Sequence, residues 1–160
     1  ERANTDWEAD ALKGGYWLRR PAAGAEAAIA FTGAIAPEVL AAYDQLLDDI
    51  PGLGVLNVTS PDVLHREWSA SKAARWTDKN AQPCHAEDLL SVLAPDAGIV
   101  TVIDGSPGAL SWLGGVQGMR VSPLGTDRYG QTGDLPDLYA GYRLDSVAII
   151  DAMAELFLKR

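Results

Sequence analysis

The hydrophobic positions of this chain fall into short unbroken runs separated by stretches with helical spacing. Gly98-Ile99-Val100-Thr101-Val102-Ile103 is the strongest run, β-branched and without polar alternation, starting after Pro95 and stopping at Asp104-Gly105. Such a run fits a strand covered on both faces, the environment of a parallel sheet between helices. Ala27–Phe31, Gly54–Val58 and Met119–Leu124 are weaker runs, and Tyr16–Leu18 is a short strand between Gly14-Gly15 and Arg19-Arg20-Pro21.

The stretches between the runs read as helices with recognisable ends. Pro37 sits near the start of a helix with Val39, Leu40, Tyr43, Leu46, Leu47 and Ile50 on one face and Glu38, Asp44 and Asp48 on another, stopped by Pro51-Gly52. Thr59-Ser60-Pro61-Asp62 predicts a helix start, with a helix through about Trp68. Ser69–Gln82, polar and carrying Lys72, Arg75 and Lys79, reads as an exposed excursion ended by Pro83. Helical spacing returns over His85–Leu93, through Leu89, Leu90 and Leu93, and over Ala109–Val116, with Gly114-Gly115 as its end. Gly125–Gly133 is a turn-rich loop, after which Asp134 caps a short helix closed by Gly141. Asp145 caps a last helix carrying Val147, Ile150, Met153, Leu156 and Phe157, with Lys159 and Arg160 at its negative end. Glu1–Lys13 is a polar lead-in whose Trp7, Ala11 and Leu12 offer apolar contacts.

Right-handed crossovers and neighbouring placement of consecutive elements then predict a three-layer α/β/α domain. Its sheet is five-stranded and mostly parallel, ordered 54–58, 27–31, 99–103, 119–124, with 16–18 as an antiparallel edge strand. The order reverses between 27–31 and 99–103, which puts a crevice above Thr32-Gly33 and Asp104-Gly105. Gly33, Asp104, Gly105 and Ser106 are therefore the one site candidate that position supplies, although turn geometry alone accounts for the glycines.

Composition narrows the classes. A chain of 160 residues with 48% hydrophobic and 22% charged residues is one globular domain with one core. Its net charge of −9, from 22 acids against 13 bases, argues against nucleic acid and against an anionic membrane surface. Cys84 is the single cysteine, so no intrachain disulfide forms and a cytoplasmic setting is the default. No apolar run approaches the roughly 18 residues of a membrane span, and Glu1–Lys13 has no signal-peptide pattern.

The usual carriers of chemistry are missing. Neither a GxxxxGK[ST] nor a GxGxxG loop is present, and His65, His85 and Cys84 are too few for a metal site of the zinc type. Cys84-His85 suggests a nucleophile beside its base, but neighbours at a helix start point apart, so the expectation is a partly buried thiol beside an exposed imidazole. Ser106 misses the GxSxG elbow because Asp104 stands where a glycine is needed. Asp127, Asp134 and Asp137 lack calcium-loop spacing. Trp68, Trp76, Trp112, Tyr129 and Tyr139 fit core or rim positions, or a protein interface if they cluster on one face.

Leu124-Gly125-Thr126-Asp127, the pair Tyr129-Gly130 and the helix start at Asp134 resemble the C-terminal domain of the transketolase superfamily of thiamin-diphosphate enzymes, most closely the homodimeric pyruvate dehydrogenase E1 component. Three further stretches agree in order: Glu8–Leu18; Val58-Thr59-Ser60 with Leu64, Arg66 and Arg75-Trp76; and Tyr142-Arg143-Leu144-Asp145. Gln131-Thr132-Gly133 and Ser106-Pro107-Gly108 depart from the pattern. The resemblance implies that residues 15–160 form the C-terminal-like domain and 1–14 a lead-in from a missing middle domain. It implies a role in dimer assembly and in bracing catalytic domains that lie elsewhere. Thiamin diphosphate and Mg²⁺ are expected in the full-length enzyme, on the N-terminal and middle domains, through a Gly-Asp-Gly followed later by Asn. Asp104-Gly105 follows Ile103 and is not that motif, so this chain is assigned no catalytic, cofactor-binding or metal residue and the isolated fragment is expected to be inactive. The implied partners are the missing domains, a second copy, and other subunits of a 2-oxo acid dehydrogenase complex. The alternatives are a plain transketolase domain and a stand-alone flavodoxin-like module that binds a ligand or docks a subunit.

Overall fold

The computed structural model describes residues 7–78, 80–127 and 132–158. Strands β1 (Tyr16–Arg19), β2 (Ala25–Thr32), β3 (Gly54–Asn57), β4 (Leu93–Ile103) and β5 (Arg120–Leu124) form one sheet in the order β1-β3-β2-β4-β5. β1 runs antiparallel to β3, and every other pairing is parallel. The expected order is therefore present, and the antiparallel edge lies beside β3.

Alternation along the strands builds two cores. From β2, β3 and β4, residues Ile29, Phe31, Val55, Val100 and Val102 pack with α2 (Ala36–Leu46) and α8 (Ser146–Leu158). Ala28, Ala30, Leu56, Ala97 and Ile99 face the other way, toward α3 (Pro61–Ala74), α4 (His85–Leu90), α5 (Gly108–Ser111) and α6 (Gly114–Gln117). Because both faces are dry, the central strands need apolar residues at every position, which is why they read as unbroken runs. Two further helices, α1 (Trp7–Leu12) and α7 (Leu135–Tyr142), have no buried residue among those described.

Element ends differ from expectation in instructive ways. α3 continues past Trp68 to Ala74, so the first part of the basic excursion is helix, anchored by buried Leu64 and Trp68. Lys79 lies outside the described residues. α2 stops at Leu46, which leaves Leu47 and Ile50 beyond the helix, and Ala42 takes a buried place between Val39 and Leu46. α4 stops at Leu90, and Leu93 already belongs to β4, where it pairs with Ala25. The 109–116 helix is split, with Gly114 beginning α6. Asp134 occupies the N-cap of α7 without a side-chain bond, and the left-handed residue closing it is Arg143, at φ 57°, rather than Gly141. α8 buries Met153 and Leu156 as expected, with Ile150 and Phe157 partly buried against the same core, but Ala148, Ile149 and Ala152 are buried too and Val147 is exposed. Its cap is as expected, the Ala148 N–H donating to Asp145 Oδ1 at 3.0 Å. The lead-in docks on the domain itself: the Trp7 ring lies 5.5 Å from that of Tyr16, and Thr59 Oγ1 donates to Ala11 O at 2.6 Å.

Two buried positions give opposite stability predictions. A Cβ at Gly114 would fall 2.4 Å from Val121 Cγ2 and 2.7 Å from Met119 O, so Gly114→Ala should lower unfolding free energy by about 1–3 kcal/mol. Thr101 is fully buried with no hydrogen-bond partner for its Oγ1, so Thr101→Val should raise it by about 1 kcal/mol. Denaturant midpoints at constant slope check both.

Candidate functional site

The sheet order reverses between β2 and β4, and the chain leaves both strands at the same end. Thr32 closes β2, and Gly33 turns into α2 at φ 85°, a left-handed conformation that disfavours other residues although the space around it is open. Asp104, after β4, is exposed. The Thr126 N–H donates to Gly105 O at 2.8 Å, and a Cβ at Gly125 would meet that same oxygen at 2.6 Å. The loop after β5 is thus pressed against the loop after β4, and the glycine at 125 permits it.

The residues around this mouth are acidic. Glu38 from α2 accepts the Ser146 N–H through Oε2 at 2.9 Å, at the positive start of α8. Burial raises the Tyr139 hydroxyl above its ordinary pKa, and the Asp104 and Glu38 carboxylates push it the same way. Gly33, Asp104, Gly105 and Ser106 are brought to one end of the sheet as expected, joined by Glu38 and Tyr139. Spacing in the sequence had shown Glu38 only as a solvent-face acid. A mouth with these charges repels phosphate, and no group of three His, Cys, Asp or Glu that could hold a metal ion occurs among the described residues. The residues here do not fit a Mg²⁺-bound diphosphate, and no step through such a group is derived.

Cys84 and His85 are oriented apart, as expected for neighbours at a helix start, but the imidazole is buried rather than exposed. His85 Nε2 donates to Gly15 O at 2.8 Å, which places the proton on that nitrogen and ties α4 to the segment before β1. Cys84 is the N-cap of α4 in a reciprocal box, its sulfur accepting from the Glu87 N–H while Glu87 Oε2 accepts the Cys84 N–H at 2.8 Å. Burial raises the thiol pKa above its ordinary value. Glu87 also takes the fork of Arg75, Nη1 to Oε1 at 2.6 Å and Nη2 to Oε2. This carboxylate therefore closes the loop between α3 and α4. The Glu three residues after the cap was the sequence signal for it.

The aromatic residues divide. Trp68 stacks on Trp112 at 5.3 Å, with His65 edge-on to Trp112 at 4.9 Å and Lys72 Nζ 4.5 Å above Trp68. Trp76 is 89% exposed and makes no ring contact among the described residues. Tyr129 lies outside the described residues, and Asp127, Asp134 and Asp137 are exposed.

Parallel sheet, switch point and layers define a transketolase C-terminal-like α/β domain. No protein-family model matches the chain, and no curated protein sequence matches it. Among solved structures, transketolase from Leishmania mexicana superposes over 92% of this chain with TM-score 0.65 and 14% identity, and a transketolase from Pichia stipitis over 92% with TM-score 0.61 and 20% identity. A split-gene transketolase, described as an inactive beta4 tetramer, superposes over 91% with TM-score 0.62 and 19% identity. The chain spans 18% of the first two proteins and 43% of the third.

The Arg75 guanidinium holds Glu87 down to a pKa of about 2, from an ordinary 4.5. A folded pKa below the unfolded one stabilises above the unfolded value and is lost as pH falls. Wild-type stability should therefore drop between pH 4.5 and 2 more than that of Glu87→Gln, which should be less stable by about 1–3 kcal/mol at pH 7. Chemical denaturation across that pH range tests this.

Proposed function

We propose that this chain is the C-terminal assembly domain of a larger thiamin-diphosphate-dependent enzyme of the transketolase type, a 2-oxo acid dehydrogenase E1 of the pyruvate dehydrogenase kind, and that it has no catalytic activity by itself. The observation that carries the reading is the coverage: this fold accounts for 92% of the chain but 18% of full transketolases. The ordered motifs from Glu8 to Asp145 favour the E1 branch over transketolase proper. Cofactor and Mg²⁺ then belong to the other domains, as the acidic mouth at Gly33 and Asp104 also favours. The domain's task is to brace those domains and hold a second copy in register.

A subunit-docking role has one observation of its own. Trp76 is 89% exposed beside Arg75, and aromatic side chains left in water at such positions are typical anchors of protein interfaces. In a 2-oxo acid dehydrogenase complex the docked partner is another subunit, and both roles can coexist on one domain.

The purified chain with pyruvate or a ketose phosphate, thiamin diphosphate and Mg²⁺ should show no turnover above the protein-free rate. A fusion that carries Gly-Asp-Gly and Asn-containing domains ahead of Glu1 should turn over a 2-oxo acid. Turnover by the chain alone overturns the reading, as does a gene whose adjoining domains lack that motif.

A further inference from the structure

At the end of the sheet opposite Gly33 and Asp104 lies a cavity of about 600 Å³. That volume is within the roughly 300–1,000 Å³ of small-molecule sites. Its floor is core: Leu46 of α2 is 7% exposed and Met153 of α8 is fully buried. Ile50, Ile150 and Phe157 form partly exposed apolar walls. The gap exists because the remaining wall is short. Ala22-Ala23-Gly24 before β2, Gly52 before β3 and Ala154 on α8 carry no side chain long enough to cross it.

The polar part of the lining has one sign. Asp49 and Glu26 carry its formal charges, and no Lys, Arg or His lines it among the described residues. Glu26 has contacts of its own, which makes Asp49 the better acceptor for a ligand. α2 also ends here, at Leu46. The negative end of the α2 dipole adds to the Asp49 carboxylate, whereas the last turn of α8 is already met by the Arg120 guanidinium, which donates to Leu156 O.

We propose that this cavity is a binding site for a small organic cation, an ammonium carried on an aryl or alkyl body. The body fills the space above Leu46 and Met153 and is covered by Ile50, Ile150 and Phe157. The ammonium stays at the rim, facing Asp49 and the α2 terminus, where it keeps part of its water. Burial of the apolar body supplies most of the affinity, and the charge at an exposed carboxylate supplies selectivity.

Amide NMR of the full chain at low salt, titrated with phenylbutylammonium, phenylbutanol and phenylbutyrate, tests this. Saturable shifts are expected at Ala22–Gly24, Asp49, Gly52, Ala154 and Phe157, with the ammonium binding about threefold to tenfold more tightly than the carboxylate. Asp49→Asn should bring the ammonium close to the alcohol while leaving the alcohol unchanged. Ala154→Trp should abolish binding of all three, and Ala23→Trp, from the opposite wall, does the same should the first variant fold poorly. The proposal fails if shifts do not saturate, if they survive both Trp variants, or if carboxylate binds as well as ammonium. It fails also if the same amides shift with protein concentration alone, because the occupant is then a second copy.

Discussion

The structure depends on the parallel pairing of β2 with β4. Ala25 to Thr32 runs against Leu93 to Ile103, and no residue of the matched stretch from Ala27 to Phe31 or from Gly98 to Val102 is exposed. A strand pair with two dry faces cannot stand unless helices cover both, so α2 and α8 on one side and α3 to α6 on the other follow from it. The small residues of β2 matter here. Ala27, Ala28 and Ala30 let the helices approach closely, while Ile29 and Phe31 supply bulk on the α2 and α8 side.

The same pair creates the crevice and decides its character. Crossovers leave β2 in one direction and β4 in the other, so a mouth opens where the two strands end. In many open α/β sheets that mouth receives an anionic ligand. Here Glu38 and Asp104 give it a negative field. Burial, and then that field, push the Tyr139 hydroxyl pKa up, and Glu38 is occupied with the start of α8. Through its bond to the Ser146 N–H, Glu38 ties α2 to the start of α8.

Glu87 plays a comparable part on the opposite face. One carboxylate caps α4 and anchors Arg75 at the end of α3, so the segment between the two helices is closed by charge-assisted hydrogen bonds rather than by apolar burial. With His85 bonded to Gly15 and Trp17 Nε1 donating to Leu89 O at 3.0 Å, α4 is fastened near both its ends to β1 and the residue before it. The tempting Cys84-His85 pair is consumed in these fastenings.

The sequence alone determined the strands, their order and the switch point, because buried parallel strands must be apolar throughout and right-handed crossovers leave few arrangements. It also showed the cap at Asp145 and the helix start at Pro61, whose signals are local. Element ends were less legible. α3 passes Trp68, α8 turns its Ala148 and Ile149 face inward, and β4 begins at Leu93, because each is settled by the surface it meets rather than by its own residues. Only the tertiary structure buried His85, joined Glu87 to Arg75, gathered Glu38 with Asp104 and Tyr139, and left an unfilled space between Leu46 and Met153. Those contacts join residues distant along the chain, and their charges and gaps exist only once the sheet has brought the elements together.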